Sequence, residues 1–191
     1  MSEPDGSVTE REASLLHLGQ SMRGLQDVYT ATSAPAEVVE STAVALEVLT
    51  SALAPYRCNL SGESDYQDFA EFNPAHTLTP EFHIIERGPD FLRGRVRFGL
   101  FYRNAFGIAN GGAVALLFDT AIANLGSSNG VRAYTANLKL DFRSGTPIDT
   151  DLIVQVQRKA ADGRKHLLTA QLYDGDQLLA EAESLLVEAK A

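Results

Sequence analysis

One acidic side chain stands inside a run that is otherwise almost entirely apolar. Ala113 to Leu125 contributes Val114, Leu116, Leu117, Phe118, Ile122 and Leu125, with Asp119 in the middle. Periodicity predicts a helix with no wide polar face, and a helix apolar all round belongs in an interior. An unpaired carboxylate is costly there, and aspartate is a mediocre residue for a helix interior. Something must offset that cost: a structural hydrogen bond or ion pair, or a site whose chemistry needs a carboxylate. Gly111-Gly112 opens the same helix. The first amides of a helix lack internal partners, its dipole favours negative charge, and two residues without side chains let a ligand approach the backbone. The pair is a candidate oxyanion hole, or an ordinary glycine-rich helix start.

Spacing adds a constraint. Eight positions separate Gly111 from Asp119, about 12 Å along one helix. An oxyanion donor belongs about 3 Å from the carbonyl oxygen, and a base or nucleophile must reach the same carbonyl carbon. One helix does not easily do both. Two antiparallel copies across a twofold axis do, Gly111 of one facing Asp119 of the other. If both residues are catalytic, the expectation is an obligate homodimer with two shared sites.

The elements that must position these residues can be read outward from them. Upstream, Phe82 to Arg87 is a short strand, and Leu92 to Tyr102 alternates Val96, Phe98, Leu100 and Tyr102 against Arg93, Arg95 and Arg97, the period of a half-buried strand. A glycine-containing loop, Arg103 to Asn110, leads into the helix, which runs from Gly111 to about Leu125 and is closed by Gly126. Downstream the chain is a meander. Tyr134, Ala136, Leu138, Leu140 and Phe142 alternate with Thr135, Asn137, Lys139, Asp141 and Arg143, then come strands with Leu152, Val154 and Val156, with Leu168, Ala170 and Leu172, and with Leu178 to Leu186. Asp162-Gly163 and Asp174-Gly175 mark hairpin turns. Strands, one buried helix, then antiparallel strands make an α+β domain, a sheet wrapped on one central helix.

Residues 1–77 form a separate N-terminal helical extension and connector. Ser7 and Thr9 are candidate caps for a helix to about Val28, with the stripe Leu15, Leu18, Met22 and Leu25; a second helix runs from about Ala36 to Leu53, with Val39, Ala43, Leu46 and Leu49, and Pro55 ends it. The two helices are expected to cover one side of the domain of residues 78–191; lid, dimer contact or docking are the functional readings. Cys58 to Pro74 reads as a connecting segment.

The segment Asn104-Ala-Phe-Gly-Ile-Ala-Asn110-Gly111-Gly112, followed by an apolar helix carrying Asp119, resembles the motif of the hotdog-fold acyl-CoA thioesterases. The likeness is to the phenylacetate-degradation type, to the human thioesterase-superfamily relatives and to the 4-hydroxybenzoyl-CoA thioesterases, and it covers about residues 78–188. Their motif has an asparagine, a short loop with glycine, His-Gly-Gly, and an aspartate nine residues after the histidine. Asn104, Gly111, Gly112 and Asp119 match it, and Thr135 matches the hydroxyl residue opening the following strand. Asn110 replaces the histidine; asparagine can still cap a helix, and a proton-transfer role for histidine is excluded there.

The resemblance implies the hotdog fold and hydrolysis of an acyl-CoA thioester. Asp119 would act as base or nucleophile, the Gly111 amide as oxyanion donor, Asn104 would orient water or polarise the carbonyl, and Thr135 would hold the Asp119 rotamer. Asn110 and Gly112 would shape the substrate site. Arg143, Arg158 and Lys159, with Arg164 and Lys165 nearby, would supply cations for the coenzyme A phosphates. Coenzyme A is then part of the substrate and no cofactor is implied. Two other classes stay open: a hotdog protein that binds acyl-CoA without hydrolysing it, for which Asn110 speaks, and a hotdog dehydratase or hydratase, for which the usual Asp/His pair is not visible.

Composition narrows the field. The 191-residue chain has a formal net charge of −9, against the basic footprint of a nucleic-acid binder. Its one cysteine, Cys58, excludes an intrachain disulfide, and His17, His76, His83 and His166 lack metal-ligand spacing, so no metal is expected. Met1 to Glu12 has no apolar signal core. No contiguous apolar stretch reaches the length of a membrane span. The expectation is a cytoplasmic homodimer without membrane contact, with pairing into tetramers left open.

Overall fold

The computed structural model describes residues 10–56, 77–127 and 132–189. The expected caps Ser7 and Thr9, Cys58, His76 and the connecting segment before Pro74 lie outside the described residues. Six strands form one antiparallel sheet in the order β1-β2-β4-β5-β6-β3: β1 Glu81–Arg87, β2 Phe91–Arg97, β3 Ala133–Phe142, β4 Leu152–Asp162, β5 Lys165–Asp174 and β6 Gln177–Glu188. Helix α3, Gly111–Gly126, lies against it. Alternation puts Leu92, Val96, Leu152, Val154, Val156, Leu168, Ala170, Leu172, Ala180, Ala182 and Leu186 on the inner face. There they meet Val114, Leu117, Phe118, Ala121, Ile122 and Leu125 of α3 in one continuous core. This is the hotdog fold. Both hairpins turn where expected, with Gly163 and Gly175 each at φ 54.

Four expectations need correction. The strand read as Leu92 to Tyr102 ends at Arg97, and Leu100–Tyr102 is a 3-10 turn. The cause lies in α1, Glu10–Thr30. Asp27 reaches across and accepts from the Phe101 N–H at 2.7 Å. A β-carbon on Gly99 would lie 2.4 Å from that carboxylate, so any larger residue would displace it. The backbone there is occupied by a side chain of α1 rather than by a neighbouring strand.

The α1 stripe is the second. Its packed side is formed by half-buried Leu15 and Leu16, buried Gly19, and Arg23, Gln26 and Asp27. Arg23 donates to Thr79 O and Gln26 to Thr77 Oγ1, each at 3.3 Å. Leu18, Met22 and Leu25 face outward, 40%, 46% and 37% exposed. Hydrogen bonds, not the apolar stripe, fix the docking angle. The third is helix α2, Ala36–Leu53, which buries none of its residues. It therefore does not cover the domain as α1 does. The segment Ala36–Tyr56 is long and apolar enough, by length and composition, to cross a membrane. The expectation that no apolar stretch reaches the length of a membrane span is corrected by it: Glu37, Glu40 and Glu47 interrupt the run without making the segment polar.

Tyr102 closes the joint between α1 and the sheet. It is buried, packs edge-on to Phe98 and Phe101, and donates to Thr77 O at 3.3 Å. Burial, opposed in part by Arg23, pushes its phenol up to about 12 from 10.0. Below pH 10 both folded and unfolded chains keep the proton. Between 10 and 12 the unfolded chain loses it first, so stability falls as pH rises, by at most about 2–3 kcal/mol. Urea unfolding at pH 8 and pH 11 should therefore show a smaller alkaline loss in Tyr102→Phe than in wild type; equal losses would place the cause elsewhere.

Candidate functional site

Asn110 starts α3. Its backbone is extended, at φ −64 and ψ 135, and its Oδ1 accepts from the Gly112 N–H at 2.8 Å. The Asn110 carbonyl accepts from Ala113 and Val114, and its own N–H donates to Tyr102 O at 2.7 Å. Asparagine is thus a working cap. These bonds satisfy the amides around Gly111, whose exposed N–H meets no acceptor among the described residues. That donor is the one available for a ligand at this helix end.

The loop before it is rigidly tied. Asn104 Oδ1 accepts from the Phe106 N–H at 2.8 Å and the Ile108 N–H at 3.4 Å. Asn104 N donates to Ile108 O, Ala109 N donates to Thr146 O, and Gly107 turns at φ 81. Asn104 and Gly111 line a surface cleft of about 360 Å³ with Ile108, Val114, Phe142 and Arg143. A β-carbon on Gly111 would lie 3.3 Å from the Phe142 ring, so the missing side chain lets that ring form the cleft wall. Phe142 belongs to the apolar set in the alternation of β3, yet it is 55% exposed.

Asp119 occupies the side of α3 turned from the sheet and is half-buried in the single chain, as are Ala115, Leu116 and Ala123 beside it. The expectation that α3 is covered on every side is corrected to this extent. Thr135 Oγ1 donates to Asp119 Oδ1 at 2.8 Å. Plain alternation puts Thr135 on the same face as Asn137 and Lys139, away from Leu138. The register explains how it nevertheless meets α3. Thr135 pairs with Leu186 and Asn137 with Leu185, so Ala136 is a bulge. Leu186 and Ser184 both point into the core. Thr135, opposite the first, and Leu138, opposite the second, therefore share the helix side. Buried Ser184 fastens the bulge by donating to Asn137 O at 2.8 Å. Bulges re-aim side chains in this way, and nothing in the spacing of β3 announces one.

The candidate residues thus fall into two separate groups. Asn104, Gly111 and Arg143 share the cleft; Asp119 and Thr135 meet two helical turns away. Of the expected cations, Arg143 is at the cleft but hydrogen-bonded to Glu181, from Nε at 2.9 Å and from a second nitrogen, which holds it more firmly protonated. Arg158, with its side chain 16% exposed, donates to Leu125 O at the end of α3, to His166 Nδ1 at 2.8 Å, and lies 3.3 Å from Asp90. Its contacts brace the helix end, with His166 in turn on Glu188 at 2.7 Å. Lys159 donates to Gln157 and lines a groove with Lys139, Asp141, Glu181 and Glu183. The three cations do not converge on one place.

No protein-family model matches the chain. It is similar to acyl-coenzyme A thioesterase THEM4 of Bos taurus, 30% identical over 92 residues, and of Mus musculus, 32% identical over 92 residues. The match takes in 47% of this chain and 38% and 40% of theirs, so the likeness spans less than half the length of those relatives. Among solved structures, a thioesterase superfamily protein aligns with a TM-score of 0.77 and 22% identity over 98% of this chain and 94% of its own, helical extension included. The Escherichia coli PaaI protein from the phenylacetic acid degradation operon aligns at 0.55 and 17% identity over 58% and 80%. A hypothetical thioesterase protein from Streptococcus pneumoniae, solved with coenzyme A, aligns at 0.55 and 13% identity over 57% and 89%. That protein has also been solved with an aspartate and, separately, a threonine sixteen positions later changed to alanine.

Because the Asn110 side chain makes the cap, Asn110→Ala should lower stability by about 1 kcal/mol, while Asn110→Asp and Asn110→Ser keep most of it. Thermal unfolding of the three variants checks this; an unshifted midpoint in Asn110→Ala would show that the cap contributes nothing.

Proposed function

We propose that the chain hydrolyses an acyl-CoA thioester at a site shared by two copies. The observation that carries this reading is the Asp119–Thr135 pair: a carboxylate held by a hydroxyl on the uncovered side of an otherwise apolar helix. Its sixteen-residue separation equals that of the two positions altered in the Streptococcus pneumoniae thioesterase. The THEM4 relatives supply the substrate class, and the coenzyme A-bound structure supplies the ligand.

A second copy is required by distance. The Gly111 amide and Asp119 are about 12 Å apart along α3, while the reaction needs both at one carbonyl. Strand β3 is an edge of the sheet, and most of its residues are exposed. An unpaired edge of ten residues is a natural place for strand pairing. Pairing two copies there about a twofold axis sets the α3 helices antiparallel and places each Asp119 near the other Gly111.

In the proposed reaction the thioester oxygen accepts from the Gly111 N–H. Asp119 of the other protomer takes a proton from water as the oxygen of that water attacks the carbonyl carbon, or attacks that carbon itself to give an anhydride that water then opens. Negative charge gathers on the oxygen at the helix start. Collapse breaks the carbon–sulfur bond, and the coenzyme A thiolate leaves and is protonated. Thr135 holds one carboxylate oxygen, so the other faces the substrate. Asn104 spends its side-chain oxygen on its own loop, so its part is to hold the Gly111 backbone in place, leaving only its amide nitrogen to turn to a ligand. Arg143 is the cation placed to meet a phosphate at the cleft, exchanging Glu181 for it; Arg158, spent on the helix end, is not. Hydrolysis is preferred to binding alone because Asn110 preserves the helix start. It is preferred to hydration because no histidine among the described residues stands beside Asp119.

A free-thiol assay with a panel of acyl-CoAs tests this. Asp119→Ala should lose about 10³-fold or more in kcat/KM. Thr135→Val should lower kcat by roughly 10- to 100-fold with little change in KM, and Thr135→Ser should restore most of it. Undiminished thiol release from folded Asp119→Ala would overturn the assignment.

A further inference from the structure

The large apolar side chains left open to solvent are unevenly placed. Among the described residues, thirteen of the nineteen lie between Leu18 and Tyr56, in the extension that the proposed chemistry does not use. On α1 they are Leu18, Met22, Leu25, Val28 and Tyr29; on α2 and its end they are Val38, Val39, Val44, Leu46, Val48, Leu49, Leu53 and Tyr56. Together they expose on the order of 1,000 Å². That exceeds the few hundred Å² of an ordinary surface patch but is spread over both helices; the share on one side of α2, around Val39, Leu46, Leu49 and Leu53, is below the roughly 800 Å² per partner of a stable interface and suits a contact that adds to another.

The pattern on α2 indicates what covers it. Val39, Leu46 and Leu53 recur every seven residues, and Thr42 and Leu49 do so three residues later. That is the spacing of a helix packed along another helix. The flanks of this seam are Val38, Ala43, Ala45, Thr50 and Ala52, small and uncharged, so two helices can approach closely. Glu37, Glu40 and Glu47 fall on the opposite side, and the helix carries no lysine or arginine. Two copies therefore meet without like charges in contact. An anionic lipid surface finds no cation to bind, and a membrane span would carry Glu40 and Glu47 into hydrocarbon.

We infer that the apolar face of α2 is an interface between copies of this chain, packing on the same helix of a second protomer. Eighteen residues make a ridge about 27 Å long, short for a free helix pair. The contact works as an addition to a dimer formed elsewhere on the molecule, where local concentration is high. It is independent of the catalytic reading, which uses no residue of α2.

Oxidative crosslinking of the full chain tests it. In a Cys58→Ser background, Leu46→Cys puts a thiol at the centre of the seam, where a twofold axis brings it against its own copy in either helix orientation. Glu47→Cys puts one on the opposite face. The expected result is a covalent dimer from Leu46→Cys and little from Glu47→Cys. Leu46→Glu with Leu49→Glu should lower the assembled mass, or its resistance to dilution, in light scattering. The melting point at high dilution should stay unchanged, because α2 buries nothing within its own chain. Equal or no crosslinking at the two positions overturns the inference. So does an undiminished assembly in the double variant, or a wild-type chain that co-sediments with phosphatidylcholine–phosphatidylglycerol vesicles through α2.

Discussion

A carboxylate on an apolar helix is stable only if something holds it, and here the holder is a neighbouring strand's hydroxyl. Thr135 donates to Asp119 at 2.8 Å. That bond exists because β3 carries one residue too many at Ala136. The bulge turns Thr135 toward α3, and Ser184 fixes the bulge from the adjacent strand. Remove the extra residue and the hydroxyl faces solvent while Asp119 loses its partner. The local irregularity, not the regular ladder, sets the geometry of the Asp119–Thr135 pair.

The start of α3 depends on helix-end chemistry. Asn110 spends its side chain on Gly112 and its carbonyl on the next amides. The Gly111 amide is left over, beside a cleft walled by Phe142. A capping side chain that satisfies every neighbour but one leaves a single helix-start donor without an internal partner, and the proposed reaction assigns the substrate oxygen to it. The two halves sit about 12 Å apart on one rigid helix. Their separation turns a question about mechanism into one about assembly.

Much of this was legible in the sequence. The order of elements, the apolar run of α3, Asp119 within it and the glycine pair at its start follow from periodicity and from the cost of buried charge. Three features were not legible. A bulge leaves no trace when the strand around it alternates normally, so alternation alone does not bring Thr135 to Asp119; only the family resemblance pairs them, and the bulge at Ala136 is what makes the contact. The packed side of α1 is chosen by Asp27, Arg23 and Gln26, which bond specific backbone and side-chain oxygens; amphipathic spacing reports only where Leu18, Met22 and Leu25 lie. Arg158 looks like any strand-end cation until three partners of distant sequence position are seen around it.

The central claim is that one protomer's Asp119 serves the other protomer's Gly111, and mixed dimers test it directly. Asp119→Ala removes the carboxylate. Gly111→Val sets a branched side chain against Phe142, over the amide. Each variant alone should be inactive. Co-expressed with different tags and purified through both, the mixed dimer holds one site with both substitutions and one with neither. It should recover about half of the wild-type thioesterase activity. A folded mixed dimer as inactive as its parents would show that each chain works alone, or not at all, and would contradict the shared site.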